Sequence, residues 1–210
     1  IGYPVMVKLS AGGGGKGMAV AWSPADLPQI CESARRIGHS NYGDDSLFLE
    51  RYVERPVHLE VQIFNGMAVG IRKCAVQRKS QKIIEESGDF FLDDRNVLKL
   101  PAAAENVAAL AGYAEQCGAG TVEFLFDADT GEFGFLEVNT RLQVEYPVTD
   151  QSLHIDLVKW QILLFDGREH DIPYERARRL RFAKKDHAIE CRIYAEDPWN
   201  DYAPSPGIIR

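Results

Sequence analysis

Cysteine is scarce in this chain. Cys31, Cys74, Cys117 and Cys191 are scattered along 210 residues and form no CxxC pair. They are read as reduced core residues in a cytosolic-type compartment. Long hydrophobic runs are missing: no apolar stretch approaches the ~20 residues of a membrane span. Positive charge is in deficit, with a net charge of -7 and a pI near 5.3. That argues against a nucleic-acid binder, local basic patches aside. There is no signal peptide, no initiator Met, and no internal repeat or low-complexity tract beyond one glycine run. The chain begins inside an expected strand and stops at Ile208-Ile-Arg210, so a fragment of something longer is expected. The rest is ordinary: 45% hydrophobic and 26% charged residues suit a soluble globular protein of one large domain, or a domain with a small lid.

The glycine run is Ser10-Ala-Gly-Gly-Gly-Gly-Lys-Gly-Met18. Consecutive glycines cannot pack a core and cost backbone entropy. Such a run is either a flexible linker or a loop whose amides approach a ligand closely. It lacks the Walker spacing and the Rossmann G-x-G-x-x-G. A strand ending in Lys8 precedes it and Met18-Ala-Val-Ala-Trp22 resumes a strand pattern, so a mobile flap over phosphates is the sharper reading.

A second stretch carries more chemistry: Glu137-Val-Asn-Thr-Arg-Leu-Gln-Val-Glu-Tyr146. Residues i and i+2 of an extended chain share a side, about 6.6 Å apart. If the run stays extended, Glu137, Asn139, Arg141, Gln143 and Glu145 line one side, and Arg141 keeps Glu145 ionised. A solvated surface strand would alternate in the same way. The strand before it, Thr121-Val-Glu-Phe-Leu-Phe126, joins it through the turn-rich Asp127–Gly131, which reads as a β-hairpin. A register symmetric about Thr130 sets Glu123 directly opposite Glu137. Opposed side chains lie roughly 4.5–5.5 Å apart, so two carboxylates there repel unless something such as Mg²⁺ sits between them. Asn139 is one step further on the same face. The ordinary alternative is a solvated acidic face; the Phe-rich neighbours weaken it, because buried carboxylates need partners.

The remaining pattern predicts a helix over 25–37, with Ser23 as N-cap, Pro24 as first residue and Gly38 as stop. It predicts strands over 46–53, 57–64 and 68–72, the last two joined by an Asn65-Gly66 turn. Arg78, Lys79 and Lys82 form a basic patch, either a solvated charge run or an anion-facing loop. A helix over 101–116 is expected to face inward with Val107, Leu110, Ala111 and Ala114. A single apolar helix is expected over 148–165, a polar surface excursion over 166–185, a strand over 187–195 containing Arg192, and a loop over 197–207.

Together these motifs resemble the ATP-grasp portion of the biotin carboxylases, shared by acetyl-CoA, propionyl-CoA, methylcrotonyl-CoA, pyruvate and urea carboxylases. The match covers nearly the whole chain. It includes Ile1-Gly-Tyr-Pro-Val5, the flap ending Gly-Lys-Gly-Met18, Phe48-Leu-Glu-Arg-Tyr52 and His58-Leu-Glu-Val-Gln62. It continues through Gln77–Glu86, Gly120–Phe126, Glu137–Thr149, His187–Pro198 and Pro204-Ser-Pro-Gly207.

The resemblance implies an α+β ATP-grasp fold. Residues 1–52 would form a lid subdomain with the glycine flap, 53–185 a larger antiparallel-sheet subdomain, and 186–210 the start of a C-terminal domain. It implies carboxylation of biotin on a carrier protein, using ATP, Mg²⁺ or Mn²⁺, and bicarbonate by way of carboxyphosphate. Lys8, Gly14, Gly15 and Met18 would hold ATP near its phosphates, and Glu50, Arg51, Tyr52 and Val53 would meet the adenine edge with Leu125 beneath the ring. His58, Gln77 and Ser80 would lie beside the nucleotide. Glu123, Glu137 and Asn139 would hold metal. Lys82, Arg141, Gln143 and the amide of Val144 would bind bicarbonate, Glu145 would be its base, and Arg192 would stabilise the biotin enolate. Implied partners are a biotin carboxyl carrier, a carboxyltransferase and further copies of the full-length chain, with neither nucleic acid nor membrane. The implied compartment is the cytoplasm, or the mitochondrial matrix of a eukaryote.

Some positions depart from the family pattern. Ser80 and Tyr146 stand where histidine is usual, Ala11 replaces a flap glycine, and Ser87-Gly88 replaces Ala-Pro. The Cys117–Thr121 turn is shorter and the hairpin loop longer than in short bacterial members. The line Lys82, Arg141, Glu145, Arg192 is intact. The family's N-terminal domain, with a further ATP-contacting lysine, and the end of its C-terminal domain are not represented. Urea carboxylase, pyruvate carboxylase and a non-catalytic nucleotide-binding relative stay open as alternatives.

Overall fold

The computed structural model describes residues 1–12, 17–78, 81–88, 95, 97–113, 117–180 and 186–208. Gly14, Gly15, Lys16, Lys79 and Ser80 lie outside the described residues. The chain divides into two compact units, Ile1–Pro56 with Lys79–Gln81, and Val57–Arg78 with Lys82–Arg210.

The first unit is a three-stranded antiparallel sheet under one helix. Strand β1 (Val5–Leu9) lies between β2 (Ala19–Ala21) and β3 (Leu47–Arg51). Val5, Val7, Leu9 and Ala21 are buried against helix α1 (Leu27–Tyr42). The helix differs from the sequence expectation at both ends. Ser23 stays outside it, donating its amide and hydroxyl to the Asp26 carboxylate at 2.8 and 2.9 Å. Gly38 does not stop it. A Cβ there would sit 2.4 Å from Leu9 Cδ2 and 2.5 Å from the Asp44 carbonyl, so glycine is the spacer that lets the helix rest on the sheet. The helix ends at Gly43, whose φ of 68° is the left-handed conformation glycine adopts freely.

The second unit is built on a six-stranded sheet ordered β8-β7-β4-β5-β6-β9. Its strands are β4 (Pro56–Phe64), β5 (Met67–Arg78), β6 (Gln81–Ser87), β7 (Ala119–Asp127), β8 (Glu132–Asn139) and β9 (Ala188–Cys191). The β4–β5, β7–β8 and β6–β9 pairs are antiparallel. Asn65 and Gly66, with φ of 49° and 75°, make the β4–β5 turn. On one face Leu59, Val61 and Ile63 pack with Val122, Phe124 and the helix α2 (Leu100–Leu110). On the other, Phe64, Met67 and Val69 pack with the helices α3 (Tyr146–Leu153), α4 (Leu157–Phe165) and α5 (Tyr174–Leu180). With both faces covered, ordinary strands would be apolar throughout. Yet Glu60, Gln62, Arg72, Thr121 and Glu123 are buried too.

Several expectations are corrected. Helix α2 turns Leu100, Pro101, Ala104 and Ala108 inward, and Val107 packs against the same core as expected; Leu110 is 90% exposed, Ala111 is exposed, and Ala114 lies outside the described residues. An alanine-rich helix has almost no apolar periodicity to read. The helix expected over 148–165 is two. His154 ends α3 in the left-handed region, Asp156 caps α4 by accepting the Lys159 amide at 2.8 Å, and Asp150 accepts the Leu157 amide. Val158 and Ile162 face outward, whereas Trp160, Leu163 and Leu164 are buried. The excursion after Phe165 is not purely superficial, because Ile172 and Ala177 join the second core. The strand over 187–195 shrinks to β9, and the loop after it holds a short hairpin, β10 (Glu196–Asp197) with β11 (Ala203–Pro204). Cys74 is buried, but Cys31 and Cys117 are half-buried and Cys191 is exposed; none of the four is in a disulfide among the described residues.

Candidate active site

The alternation of β4 and β5 builds the floor of the site. Glu60 and Arg72 are register partners, so their side chains share one face. Arg72 is fully buried. Its Nε and Nη2 hold Glu60 Oε2 at 3.2 and 3.1 Å, and other bonds reach Gln62, Thr121, Gln143 and Thr149. Burial pulls the guanidinium's pKa down, while Glu145 and other anions around it oppose that. Taking both charges out of water offsets much of their attraction, so a buried pair of this kind is weak evidence for stability.

Lys82, near the start of β6, reaches across this floor. Its ammonium has three donors and three carboxylates to receive them: Glu60, Glu123 at 2.9 Å and Glu145 at 2.6 Å. Glu123 also faces His58 Nε2 at 2.7 Å, and accepts from Asn139 at 2.8 Å and Gln143 at 2.9 Å. Burial acts to raise its pKa, but the His58 bond and the Lys82 charge outweigh that and leave it at about 2. Glu145 is likewise held below the usual carboxylate range: burial raises it, and Lys82, Arg72 and a backbone hydrogen bond together lower it by more. Its second oxygen receives Arg192 Nη2.

The hairpin register holds at the site. Glu123 pairs with Glu137, Val122 with Val138 and Thr121 with Asn139; a bulge after Glu123 shifts the pairs beyond it by one residue. Asn139 donates to Glu123 and, at 3.3 Å, to Glu137. The two opposed carboxylates, both held by the Asn139 amide nitrogen, supply oxygen donors, and with that amide turned to present its oxygen the set fits a hard divalent cation.

The extended run is corrected. β8 ends at Asn139, 140–145 form a turn-rich loop, and Tyr146 opens α3. The alternating side therefore breaks up. Gln143 and Glu145 are buried, whereas Glu137, Arg141 and Val144 are exposed. Arg141 bonds the Leu142 carbonyl; the cations that keep Glu145 ionised are Lys82 and Arg72, with Arg192 on its other oxygen. The loop turns inward because α3 docks Val148, Thr149, Ser152 and Leu153, which draws Glu145 in beneath them.

The other expected residues divide between the units. In the first, Lys8 is buried and pairs with Glu50 across β1 and β3; Met18, Arg51, Tyr52 and Val53 belong to the same unit, with Trp22 edge-on to Tyr52 at 5.6 Å. In the second, Gln77 Nε2 lies 2.6 Å from His58 Nδ1, and Leu125 pairs with Gly134. Arg78, from the basic patch, packs 3.8 Å over the Tyr202 ring and pairs with Glu196.

Sequence reasoning missed Glu60, Arg72, Thr121, Glu85 and Glu190. Glu85 is fully buried, and neither oxygen receives a well-directed hydrogen bond, although Arg192 Nη2 is 3.2 Å away. Burial pushes it up to about 7. Glu190, its register partner, is also raised by burial and lies 3.6 Å from Arg192 Nε. The signal available was polar residues at every second position of strands whose other residues are strongly apolar.

The family model described as carbamoyl-phosphate synthase L chain, ATP binding domain, matches residues 1–171. Among curated proteins the chain is 42% identical, over 100% of its length, to a pyruvate carboxylase subunit from Methanothermobacter thermautotrophicus, and 40% identical to "Biotin carboxylase" of a Nostoc species. It covers 42% and 46% of those two proteins. Among solved structures, biotin carboxylase of Campylobacter jejuni in complex with β,γ-ATP superposes with a TM-score of 0.82 at 38% identity, over 97% of this chain and 44% of that one. The biotin carboxylase domain dimer of Hydrogenobacter thermophilus 2-oxoglutarate carboxylase, with MgADP, ADP and bicarbonate, gives 0.83 at 36% identity, with the same coverage. The chain belongs to the carbamoyl-phosphate synthase L chain ATP-binding family. It has the α+β ATP-grasp fold of the biotin carboxylases within that family and spans less than half the length of these relatives.

Proposed function

We propose that the protein containing this chain is a biotin carboxylase: an ATP-dependent ligase that joins bicarbonate to a ureido nitrogen of carrier-bound biotin. One observation carries the reading. A single ammonium, Lys82, gathers Glu60, Glu123 and Glu145, and Arg192 completes Glu145.

Glu145 is the base. Ionised and buried beside two cations, it takes the bicarbonate proton as a bicarbonate oxygen attacks the γ-phosphorus of ATP; the bond to ADP breaks and carboxyphosphate forms. Lys82, Arg141, Gln143 and the Val144 amide hold the bicarbonate. Lys8, Gly14, Gly15 and Met18 serve the phosphate end of ATP. Glu50, Arg51, Tyr52, Val53 and Leu125 serve the adenine, and His58, Gln77 and Ser80 lie beside the nucleotide. Glu123, Glu137 and Asn139 would hold Mg²⁺ or Mn²⁺, which neutralises phosphate charge when bound. Arg192 donates to the ureido oxygen as it gains negative charge. The carrier domain, a carboxyltransferase and self-association of the full-length protein complete the proposed assembly.

The supporting relatives differ in their acceptors: they are named pyruvate carboxylase, propionyl-CoA carboxylase and urea amidolyase. The test is ATP cleavage by the full-length protein with free biotin and bicarbonate. ADP release that requires both is expected; ATP binding without it would assign a nucleotide-binding module instead.

A further inference from the structure

The floor of the site also carries a softer donor set than the oxygens of Glu123, Glu137 and Asn139. His58 Nε2, Glu60 Oε1 and Cys74 Sγ all lie within 4.8 Å of one another. Cys74 Sγ is 3.2 Å from Glu60 Oε1, and His58 Nε2 is 3.7 Å from the same oxygen. β4 presents His58 and Glu60 at i and i+2, and β5 presents Cys74 two residues after Arg72, the register partner of Glu60. Around a tetrahedral zinc, with metal–ligand bonds of about 2.0–2.3 Å, neighbouring donors lie about 3.2–3.8 Å apart. We propose that His58, Glu60 and Cys74 form a site for a thiophilic divalent cation of the zinc class, separate from the hard-cation set at Glu123 and Glu137.

Glu60 is already oriented for it. Arg72 holds Oε2 with two donors, which leaves Oε1 turned toward His58, Cys74 and Lys82. Glu123 Oε2 lies 2.7 Å from His58 Nε2; it stays with the hard-cation set and gives up that contact when Nε2 takes the metal. The surroundings are rich in carboxylate: Glu60, Glu123 and Glu145 are buried together around Lys82, with Arg72 bound to Glu60 and Arg192 to Glu145.

Burial pushes the Cys74 thiol far up, so the metal itself must drive the proton off sulfur into solvent as the metal–sulfur bond forms. His58 must bind through an unprotonated Nε2, which places its proton on Nδ1. Gln77, 2.6 Å from Nδ1, then turns its amide so that the oxygen accepts that proton. Lys82 gives up Glu60 Oε1 and keeps Glu123 and Glu145. On the reading proposed above, that displacement makes the zinc-bound form an inhibited one, but binding itself does not depend on that reading.

The test uses Co²⁺ as a spectroscopic probe on the reduced chain and on the full-length protein. A thiolate-to-cobalt charge-transfer band is expected at one equivalent, displaced by equimolar Zn²⁺ and unmoved by excess Mg²⁺. Cys74→Ser should lose the band. A variant with Cys31, Cys117 and Cys191 all changed to Ser should keep it, and it decides the matter even where Cys74→Ser does not fold. Absence of the band in that triple variant, its persistence in Cys74→Ser, or its displacement by Mg²⁺ overturns the proposal.

Discussion

Lys82 Nζ lies 2.6 Å from Glu145 Oε1, and both side chains are mostly buried. The pair joins the start of β6 to the residue just before α3, 63 positions apart. Burial acts to raise the carboxylate's pKa, and Lys82 with Arg72 and a backbone hydrogen bond together lower it, which suits the proposed role of base.

From this pair, Glu145→Gln in the full-length protein is expected to fold and bind ATP normally. It should lose bicarbonate-dependent ATP cleavage by roughly 10²-fold or more, the usual worth of a general base. A purely structural salt bridge predicts the opposite split, with a lowered unfolding midpoint and little change in turnover per folded molecule. Parental turnover in a folded Glu145→Gln variant would remove Glu145 from the mechanism.

Glu137 is exposed, and among the described residues its side chain accepts from Asn139. Its substitution therefore leaves the core intact. Glu137→Gln should not shift the unfolding free energy beyond ~0.5 kcal/mol, as for ordinary surface changes. It should raise the Mg²⁺ concentration needed for half-maximal ATP cleavage by about ten-fold or more, on the scale of lost metal-site groups. An unchanged Mg²⁺ titration would show that the opposed carboxylates do not share an ion.

Asp150 supplies a pH test in the helical layer. Burial pushes it up to about 7; the Leu157 amide acts against the shift and Asp156 adds to it. In the unfolded chain it titrates near 3.8. Between those values the folded state keeps a proton that the unfolded state has released, so stability falls as pH rises through the window and stays lower above it. Asp150→Asn has no such proton to lose. Thermal midpoints at about pH 5 and about pH 8 should differ less in the variant, by several degrees, given the usual 2–4 °C per kcal/mol for a chain of this size. Some slope should remain, because Glu85 titrates in the same window. Equal slopes in the two proteins would contradict the buried-acid assignment.

Gly38 tests packing against propensity. Alanine in the middle of α1 gains about 1 kcal/mol of helix propensity. Its Cβ would press on Leu9 Cδ2 at 2.4 Å and on the Asp44 carbonyl at 2.5 Å. Leu9 can shift, but the backbone oxygen cannot move without displacing the turn into β3. Overpacking of this kind costs typically 1–3 kcal/mol, so Gly38→Ala should be net destabilising by denaturant unfolding. A gain in stability would mean the helix can lift at no cost.

The sequence by itself determined the elements whose information is local. The Asn65-Gly66 turn needs positive φ at both residues, and the β7–β8 hairpin is marked by strand alternation on either side of a turn. Its turn-side pairs alone would set Glu123 opposite Leu136, and the bulge after Glu123, which the sequence does not signal, makes Glu137 its partner. The ordered motifs identify the family because they too are local, strings of neighbours.

Tertiary structure alone decided the rest. Glu145 reads as a fifth tooth on an extended comb. It becomes the base candidate only because α3 docks on the sheet and pulls the loop inward, which leaves Arg141 outside and exchanges it for Lys82 and Arg192. Glu60 and Arg72 read as the polar side of half-exposed strands. They are core residues because α3–α5 cover the face that would otherwise be wet. Gly38 reads as a helix stop, since only the position of Leu9 and Asp44 shows it to be a contact. In each case the deciding interaction is with a side chain or backbone atom brought near by packing. Burial also reverses the local expectation, because a charge out of water must find its partners wherever the fold supplies them.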